Sequence, residues 1–415
     1  MKTIITFLIL LIFTSAYGQT DTYQALVDSA KALFKQDGRL SQEELDAFDY
    51  KKVVALWEEV VRLNPNNAEA RYFLGYAYDR LNSRDGRGII GMDVQLVLKT
   101  SAEFEKVIEL SPNYTGEKIV LDPYSKLTAV WGTLAMKYIY YNKSDSALWA
   151  FREGKKRGGF SDVILALNRL PLDQCSPNAI LISSGDNFTV PLWYLQYVEG
   201  YRKDVSIVDV NMLNAGWYPR FVAEKNNVSF DMSLVDLDTI EYIPWKSTRV
   251  DIKGFTWFVE PTCYDRYLLR GDRILLSLLK QNKFKRDIFF TVNFPEEARL
   301  SLKESISSYV YADKLTPKGK QTLPYQTYKN TITKVLSMAP QLNSNRHDEM
   351  RIFEYYRYDL LLQALELYDE RSTDSKAHAK ELLRILDTYC KEDKIPYQNK
   401  EGKAFADQIR NRVEE

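Results

Sequence analysis

Asn178 to Tyr218 reads NAILISSGDNFTVPLWYLQYVEGYRKDVSIVDVNMLNAGWY, and this stretch decides the fold. Ala179 to Ser183 is a short apolar run of the kind that forms a strand covered on both faces, and the SGDN that follows is a turn signal. The pattern predicts a helix that opens near Thr189, carries Pro191 in its first turn where a missing N–H costs little, and stops at Gly200. Val205 to Val210 is the second strand. Two strands joined through one helix run parallel, so the segment seeds an open α/β layer rather than a bundle or a sandwich.

Outward from this unit, turn signals at Pro171 and Pro177 mark the entry to the α/β layer. Ser229 to Asp236 alternates like a strand, Asp265 to Leu279 has a helical period, and Asp287 to Val292 reads as a further buried strand. The layer is expected to span 171–320. From Tyr325 the chain is helical again over 325–415, with Arg357 to Glu370 and Ser375 to Cys390 as a hairpin closed by Pro396. The expected fold class is therefore mixed: helical repeats over 19–160 and a C-terminal helical region flank a central α/β layer with a largely parallel sheet.

The repeats come from VVALWEEVVRLNPNNAEARYFLGYAYDRLN, Val53 to Asn82. Val53, Trp57, Val60 and Pro65 occupy the spacing of the second helix of a repeat, and Leu74, Gly75 and Tyr78 that of the next first helix. Ser101 to Asn113 repeats the pattern with Phe104, Val107 and Pro112, after an insertion at Ser83 to Gln95, SRDGRGIIGMDVQ. A third unit starts at Pro123, with Trp131-Gly132 and then Ala147, Phe151 and Gly154. This spacing resembles tetratricopeptide repeats, whose stacked helix pairs bury stripes that no single helix can bury alone.

Met1 to Gly18 combines Lys2, an apolar core from Ile4 to Phe13 and a small-x-small site at Ala16-Tyr17-Gly18, the pattern of a cleaved secretory leader that leaves Gln19 first. The expected product is periplasmic or secreted, without a membrane span, and without a lipid anchor because the first cysteine is Cys175. Among 415 residues, 56 basic balance 56 acidic, so the basic footprint of a nucleic-acid partner is missing. Of the 3 cysteines, Cys175 and Cys263 fall in one region and are the pair that a bridge would join, whereas Cys390 reads as a buried thiol.

SSGDN, PLWYLQ and VEG, the Arg202-x-Asp204-Val205 step, and Leu213-Asn214 with Trp217-Tyr218 carry a second resemblance. They resemble the soluble, extracytoplasmic tail of multi-span membrane protein O-mannosyltransferases. The likeness extends more weakly to Leu315-Thr316-Pro317 and Ile395-Pro396, and covers Leu127 to Tyr397. That family holds its catalytic acids in the membrane part, which has no counterpart here, so the resemblance implies a free-standing relative of the accessory tail and carries mannosyl transfer to no residue.

The candidate site residues fall into two groups. Asp186 and Asn187 stand where the first strand meets the helix, and Asp209 and Asn211 end the second strand, at the crevice where open parallel sheets bind ligands. They read either as contacts to sugar hydroxyls or as caps of the turn and the helix start. Along the repeat helix, Tyr72, Tyr76, Asp79 and Arg80 are expected on a concave face, suited to a peptide or a glycan, or else packed beneath the insertion. Trp193 and Tyr197, four residues apart, read as a face buried on the sheet.

Conventional catalytic equipment is sparse. The 2 histidines, His347 and His378, both lie in the C-terminal region, which argues against a Ser/His/Asp relay or a His-rich zinc site in the α/β layer. Gly86-Arg87-Gly88 follows no strand, so it is not a dinucleotide loop, and no cofactor motif is present. Ser29, Ser146 and Thr239 stand in Asp-Ser/Thr-apolar triplets that resemble bacterial O-glycosylation acceptors. The reading that results is an exported, non-catalytic scaffold that binds a protein or glycosylated partner at the cell envelope. The alternative is a glycan-binding or glycan-processing domain that works through the Asp186 crevice.

Overall fold

The computed structural model describes residues 22–36, 44, 47–295 and 297–414; the expected leader at 1–18 and the cleavage point before Gln19 lie outside them. The first layer is helical. It comprises α1 (22–36), α2 (Tyr50–Leu63), α3 (Ala68–Ser83), α4 (Val94–Leu110), α5 (Pro123–Tyr140) and α6 (Ser144–Lys156). Glycines set the closest approaches, since a Cβ on Gly75 would lie 3.0 Å from the Phe104 ring and one on Gly154 only 2.5 Å from Trp131 Cβ. Gly75 of α3 thus packs directly against Phe104 of α4.

The α/β layer follows through α7 (Asp162–Gln174), β1 (Ile180–Ser183), α8 (Asp186–Val198) and β2 (Ser206–Asp209). It continues with α9 (Tyr218–Lys225), α10 (Leu234–Thr239), β3 (Ile243–Pro244), β4 (Thr248–Ile252), β5 (Phe255–Val259), β6 (Tyr267–Leu268), α11 (Arg270–Asn282), β7 (Ile288–Thr291), β8 (Ile306–Ser308) and β9 (Ala312–Leu315). The main sheet has the order β2-β1-β7-β9-β8. β1 pairs in parallel with both β2 and β7, while β9 runs antiparallel to β7 and β8. All four residues of β1, β2 and β7 are buried, as expected for strands covered on both faces. Helices α12 (Tyr325–Leu336), α13 (His347–Asp369), α14 (Thr373–Tyr389) and α15 (Lys400–Glu414) complete the chain.

Several sequence expectations need correction. α8 begins at Asp186 rather than Thr189, which moves Pro191 from the first turn into the helix body. Proline there frees the carbonyl four residues back, and Asn168 Nδ2 on α7 takes up that Asn187 carbonyl at 3.0 Å. Pro171 lies inside α7 instead of marking a boundary. Ser229 to Asp236 is no strand: Ser233 and Asp236 form a reciprocal capping box that starts α10. The helix predicted from Asp265 begins only at Arg270, because Tyr264 and Asp265 are left-handed (φ 48° and 52°) in the turn that leads into β6. α15 lies beyond the Pro396 closure. Cys175 and Cys263 are free thiols, Cys175 buried at the end of α7 and Cys263 in the hairpin before β6, so no bridge joins them; Cys390 is also a buried free thiol.

The helical layer and the sheet share one core. Val130, Trp131, Leu134 and Phe151 from α5 and α6 pack in the same cluster as Ile180 to Ile182, Val190, Leu192, Trp193, Ile207 and Phe289. Trp193 is fully buried, as its spacing predicted, while Tyr197 packs partly buried against the same core. A second cluster joins Ile164 and Leu167 of α7 to α12–α15, and a third joins α1–α4 to Tyr114 and to Leu127 of α5. The pivot of the shared core is Gly132 on α5, where a Cβ would come within 1.8 Å of Val190 Cγ1 on α8. Gly132→Ala is expected to force the two helices apart and lower stability by about 1–3 kcal/mol, the range for overpacked cores. The midpoint of urea unfolding measures it, and an unchanged midpoint would show that the interface yields freely.

Candidate functional site

Three strand ends and two helix ends meet at the carboxyl edge of the parallel strands. From β1 the chain passes to β2 on one side, and β7 lies on the other, so the connections diverge above β1. That is where ligands settle in open α/β sheets. Asn293, just past β7, donates from Nδ2 to the Ser184 carbonyl at 2.7 Å and ties the two loops together.

Asp209 is consumed by structure. Its Oδ1 accepts from Asn211 N (2.8 Å) and Met212 N (3.0 Å), and its Oδ2 accepts from Gly185 N (3.2 Å) and the Thr189 hydroxyl. Its own N–H donates to the buried Tyr218 hydroxyl at 2.9 Å. Burial pushes its carboxyl above the usual range, while these donors oppose the shift. Asn211 is exposed and donates from Nδ2 to Ser184 Oγ at 3.1 Å. Asp209 thus closes the turns after both strands, the capping role weighed from sequence.

Asp186 differs. It is partly buried at the first position of α8, beneath Gly185, whose φ of 83° holds the turn and beside which a Cβ would meet nothing. Among the described residues no group donates a hydrogen bond to its carboxylate. Burial pushes its carboxyl up to about 6; Lys126 opposes the shift, and the carboxylates of Asp209, Asp79 and Asp85 reinforce it. Asn187 is buried. Its Nδ2 donates to Ser125 Oγ at 2.8 Å, and its Oδ1 has no partner. Ser125 in turn donates to Asp122, the N-cap of α5.

The repeat helix supplies the other wall, in a way the sequence reading did not foresee. Tyr72 and Tyr76 do not line an open concave face: they are 0% and 2% exposed. The chain between α4 and α5 crosses over them, and Ile119 N donates to the Tyr72 hydroxyl (2.9 Å) and Leu121 N to the Tyr76 hydroxyl (2.6 Å). Both hydroxyls in turn donate to the Leu121 carbonyl, at 2.8 and 3.3 Å. The two tyrosines are packed, and the cover is this segment rather than the Ser83 to Gln95 insertion weighed in the sequence reading. Asp79 is buried against Lys126 Nζ at 2.6 Å, and the same ammonium lies 4.6 Å from the Tyr76 ring centre. Arg80 pairs with Asp85 at 2.7 Å. The Trp217 indole N–H reaches the Gly86 carbonyl at 3.4 Å, so the insertion touches the sheet end.

The structure therefore brings Asp79, Asp186, Asn187 and Asp209 into one neighbourhood, and seals Tyr72 and Tyr76 from solvent. The sequence reading missed Lys126, Ser125, Asn168, Thr189 and Asn293. Pro191 within a helix was the available signal for Asn168, since a freed carbonyl needs a donor. Of the acceptor-like triplets, Ser29 and Thr239 are exposed but donate within their helices to Ala25 and Val235 carbonyls, and Ser146 is partly buried in α6. No group of three or more His, Cys, Asp or Glu side chains among the described residues is arranged to hold a metal ion.

Replacing both tyrosines by phenylalanine strands two backbone N–H groups under cover, at about 1–3 kcal/mol each. Hydrogen exchange at Ile119 and Leu121 is expected to accelerate strongly in Tyr72→Phe/Tyr76→Phe; unchanged protection would mean that the segment is held by its apolar contacts alone.

Comparison with known proteins bears on this unit. A search of curated proteins returns no match. A family model, TMEM260-associated domain 2, matches residues 166–242, from α7 through β1, α8, β2 and α9 to the end of α10. Over that segment the chain is similar to the TMEM260-associated domain, and the matched residues carry Asp186, Asn187, Asp209 and Asn211.

Proposed function

We propose that the chain is an exported, non-catalytic binding protein of the cell envelope, accessory to protein glycosylation, that engages the glycan of a glycosylated partner at the Asp186 crevice. The observation that carries the reading is the partly buried Asp186 carboxylate at the start of α8, which receives no hydrogen bond from the described residues. A carboxylate in that state is an acceptor awaiting donors, and vicinal sugar hydroxyls supply two at once. The similarity to the TMEM260-associated domain over 166–242 supports the link to glycosylation, and the leader pattern in the sequence supports export. Helices α2–α6 serve in this reading as tetratricopeptide-like repeats that wall the crevice and position its partner.

Binding is favoured over hydrolysis by Asp209. A two-carboxylate glycosidase needs both groups free to exchange protons with substrate or water. Both Asp209 oxygens are filled by four donors, and the other carboxylates that act on Asp186, Asp79 and Asp85, are paired with Lys126 and Arg80, so Asp186 lacks an uncommitted second carboxylate.

The pH dependence follows from the raised carboxyl. Its folded pKa, about 6, lies above the unfolded value, so ionisation costs the folded state stability as pH rises through that window, while only the ionised group accepts from two hydroxyls. Glycan-array binding by the chain without its leader is expected to strengthen as pH rises through about 6. Asp186→Asn, which keeps the shape, is expected to weaken binding about tenfold or more at pH 8 and to raise the melting temperature there, the stability gain fading in acid. An array without ligands, or equal binding by Asp186→Asn, sinks the reading.

A further inference from the structure

The hairpin of β4 and β5 has an edge that involves none of the crevice residues. Lys253 and Gly254, left-handed at φ 50° and 86°, form the two-residue turn that sets Ile252 opposite Phe255. Such a turn makes Ile252 and Phe255 a hydrogen-bonded pair, and the alternation of an antiparallel ladder does the same for Val250 with Trp257 and for Thr248 with Val259. Arg249 and Asp251, in between, point their main-chain N–H and C=O groups away from β5. Among the described residues nothing takes these groups up.

Val250, Ile252, Trp257 and Val259 belong to the shared core. The opposite face of the hairpin shows Arg249 beside Phe258, which is 57% exposed, and Asp251 beside Thr256. The β5 side is met by the chain before β8: the Trp257 indole N–H donates to the Leu300 carbonyl at 2.9 Å, and Glu260 N donates to Ser301 Oγ at 3.1 Å. Along β4, by contrast, Thr248, Arg249 and Asp251 are all exposed. Unpaired edges are usually guarded by a proline, a bulge or charges that repel a copy. β4 has neither proline nor bulge, and its outward charges are opposite in sign.

Those charges are available. Asp251 accepts from the Thr256 hydroxyl at 2.8 Å and from Gly254 N at 3.2 Å, which hold its carboxyl below the usual carboxylate range and keep it ionised. Arg249 is exposed and has no hydrogen-bond or ion-pair partner among the described residues.

We propose that the β4 edge pairs with the same edge of a second copy of this chain, antiparallel about a two-fold axis centred on Val250. In that register Arg249 of each copy lies opposite Asp251 of the other. Each outward residue then exchanges both main-chain hydrogen bonds with the residue it faces, and opposite charges meet on either side of the axis. Sliding the copies by two residues sets Arg249 against Arg249 or Asp251 against Asp251, which like-charge repulsion disfavours. Sliding by one sets outward groups against groups already spent on β5. The edge is complementary to itself in one register, which favours a second copy over an unrelated strand. The contact is short, so the dimer is concentration-dependent.

The test is sedimentation equilibrium of the chain without its leader over a range of concentrations, with amide hydrogen exchange measured at both ends of the range. The wild type is expected to form a dimer whose affinity falls as sodium chloride is added, and the Arg249 and Asp251 amides are expected to exchange about tenfold more slowly where the dimer prevails. Arg249→Lys keeps the charge and is expected to keep the dimer, whereas Arg249→Asp sets acids face to face and is expected to weaken it about tenfold or more. Because the Arg249 side chain is exposed, both variants are expected to melt with the wild type, which separates a lost dimer from a lost fold. A chain that stays monomeric up to about 1 mM, a dimer equally tight in Arg249→Asp, or a dimer whose Arg249 and Asp251 amides exchange as fast as in the monomer overturns the proposal.

Discussion

The approach of α5 to α8 at Gly132 is the contact on which the rest depends. With no side chain at that position, Val190 of the sheet-covering helix seats directly on the α5 backbone, and the two layers merge into one core instead of meeting through a linker. The consequence for chemistry is positional. Seating α5 there carries its N-terminal turn, with Asp122, Ser125 and Lys126, to the carboxyl end of β1, where Asn187 and Asp186 begin α8. This cluster of side chains is thus a product of layer packing, and neither layer contains it alone.

Within the crevice, polar accounting separates structure from function. Asp209 has both oxygens filled and a tyrosine on its N–H; Asp79 has Lys126; the carbonyl released by Pro191 has Asn168. Buried polar groups are normally paired because leaving them unpaired is costly. Against that background the carboxylate of Asp186, which receives no hydrogen bond from the described residues, and Asn187 Oδ1 next to it in the chain are unfilled acceptors of this neighbourhood.

Much of this was legible in the chain. The strand, turn, helix, strand unit followed from two short apolar runs and one helical period, and the structure confirms parallel pairing from Ile180↔Ser206 to Ser183↔Asp209. The tyrosine face was not legible in the same way. Residues Tyr72 to Asp79 of α3 are buried around the whole circumference, so face assignment by spacing alone placed Tyr72 and Tyr76 outward when a distant segment covers them. A helix apolar on every side carries its own warning, because such helices lie inside. Local capping also overruled pattern: the Ser233 to Asp236 box turned an apparent strand into a helix, and left-handed Tyr264 and Asp265 delayed α11.

The sequence by itself determined the element types, the buried strands, the glycines that mark close helix contacts and the poverty of histidine, since each rests on local stereochemistry or on composition. Tertiary structure alone decided which acids are free. Asp186 and Asp209 are equivalent as letters at the ends of successive strands. Only the fold directs Gly185, Thr189, Asn211 and Met212 to one of them and leaves the other to face Lys126 across an open turn, because hydrogen-bond partners are assigned by three-dimensional proximity that no spacing along the chain encodes.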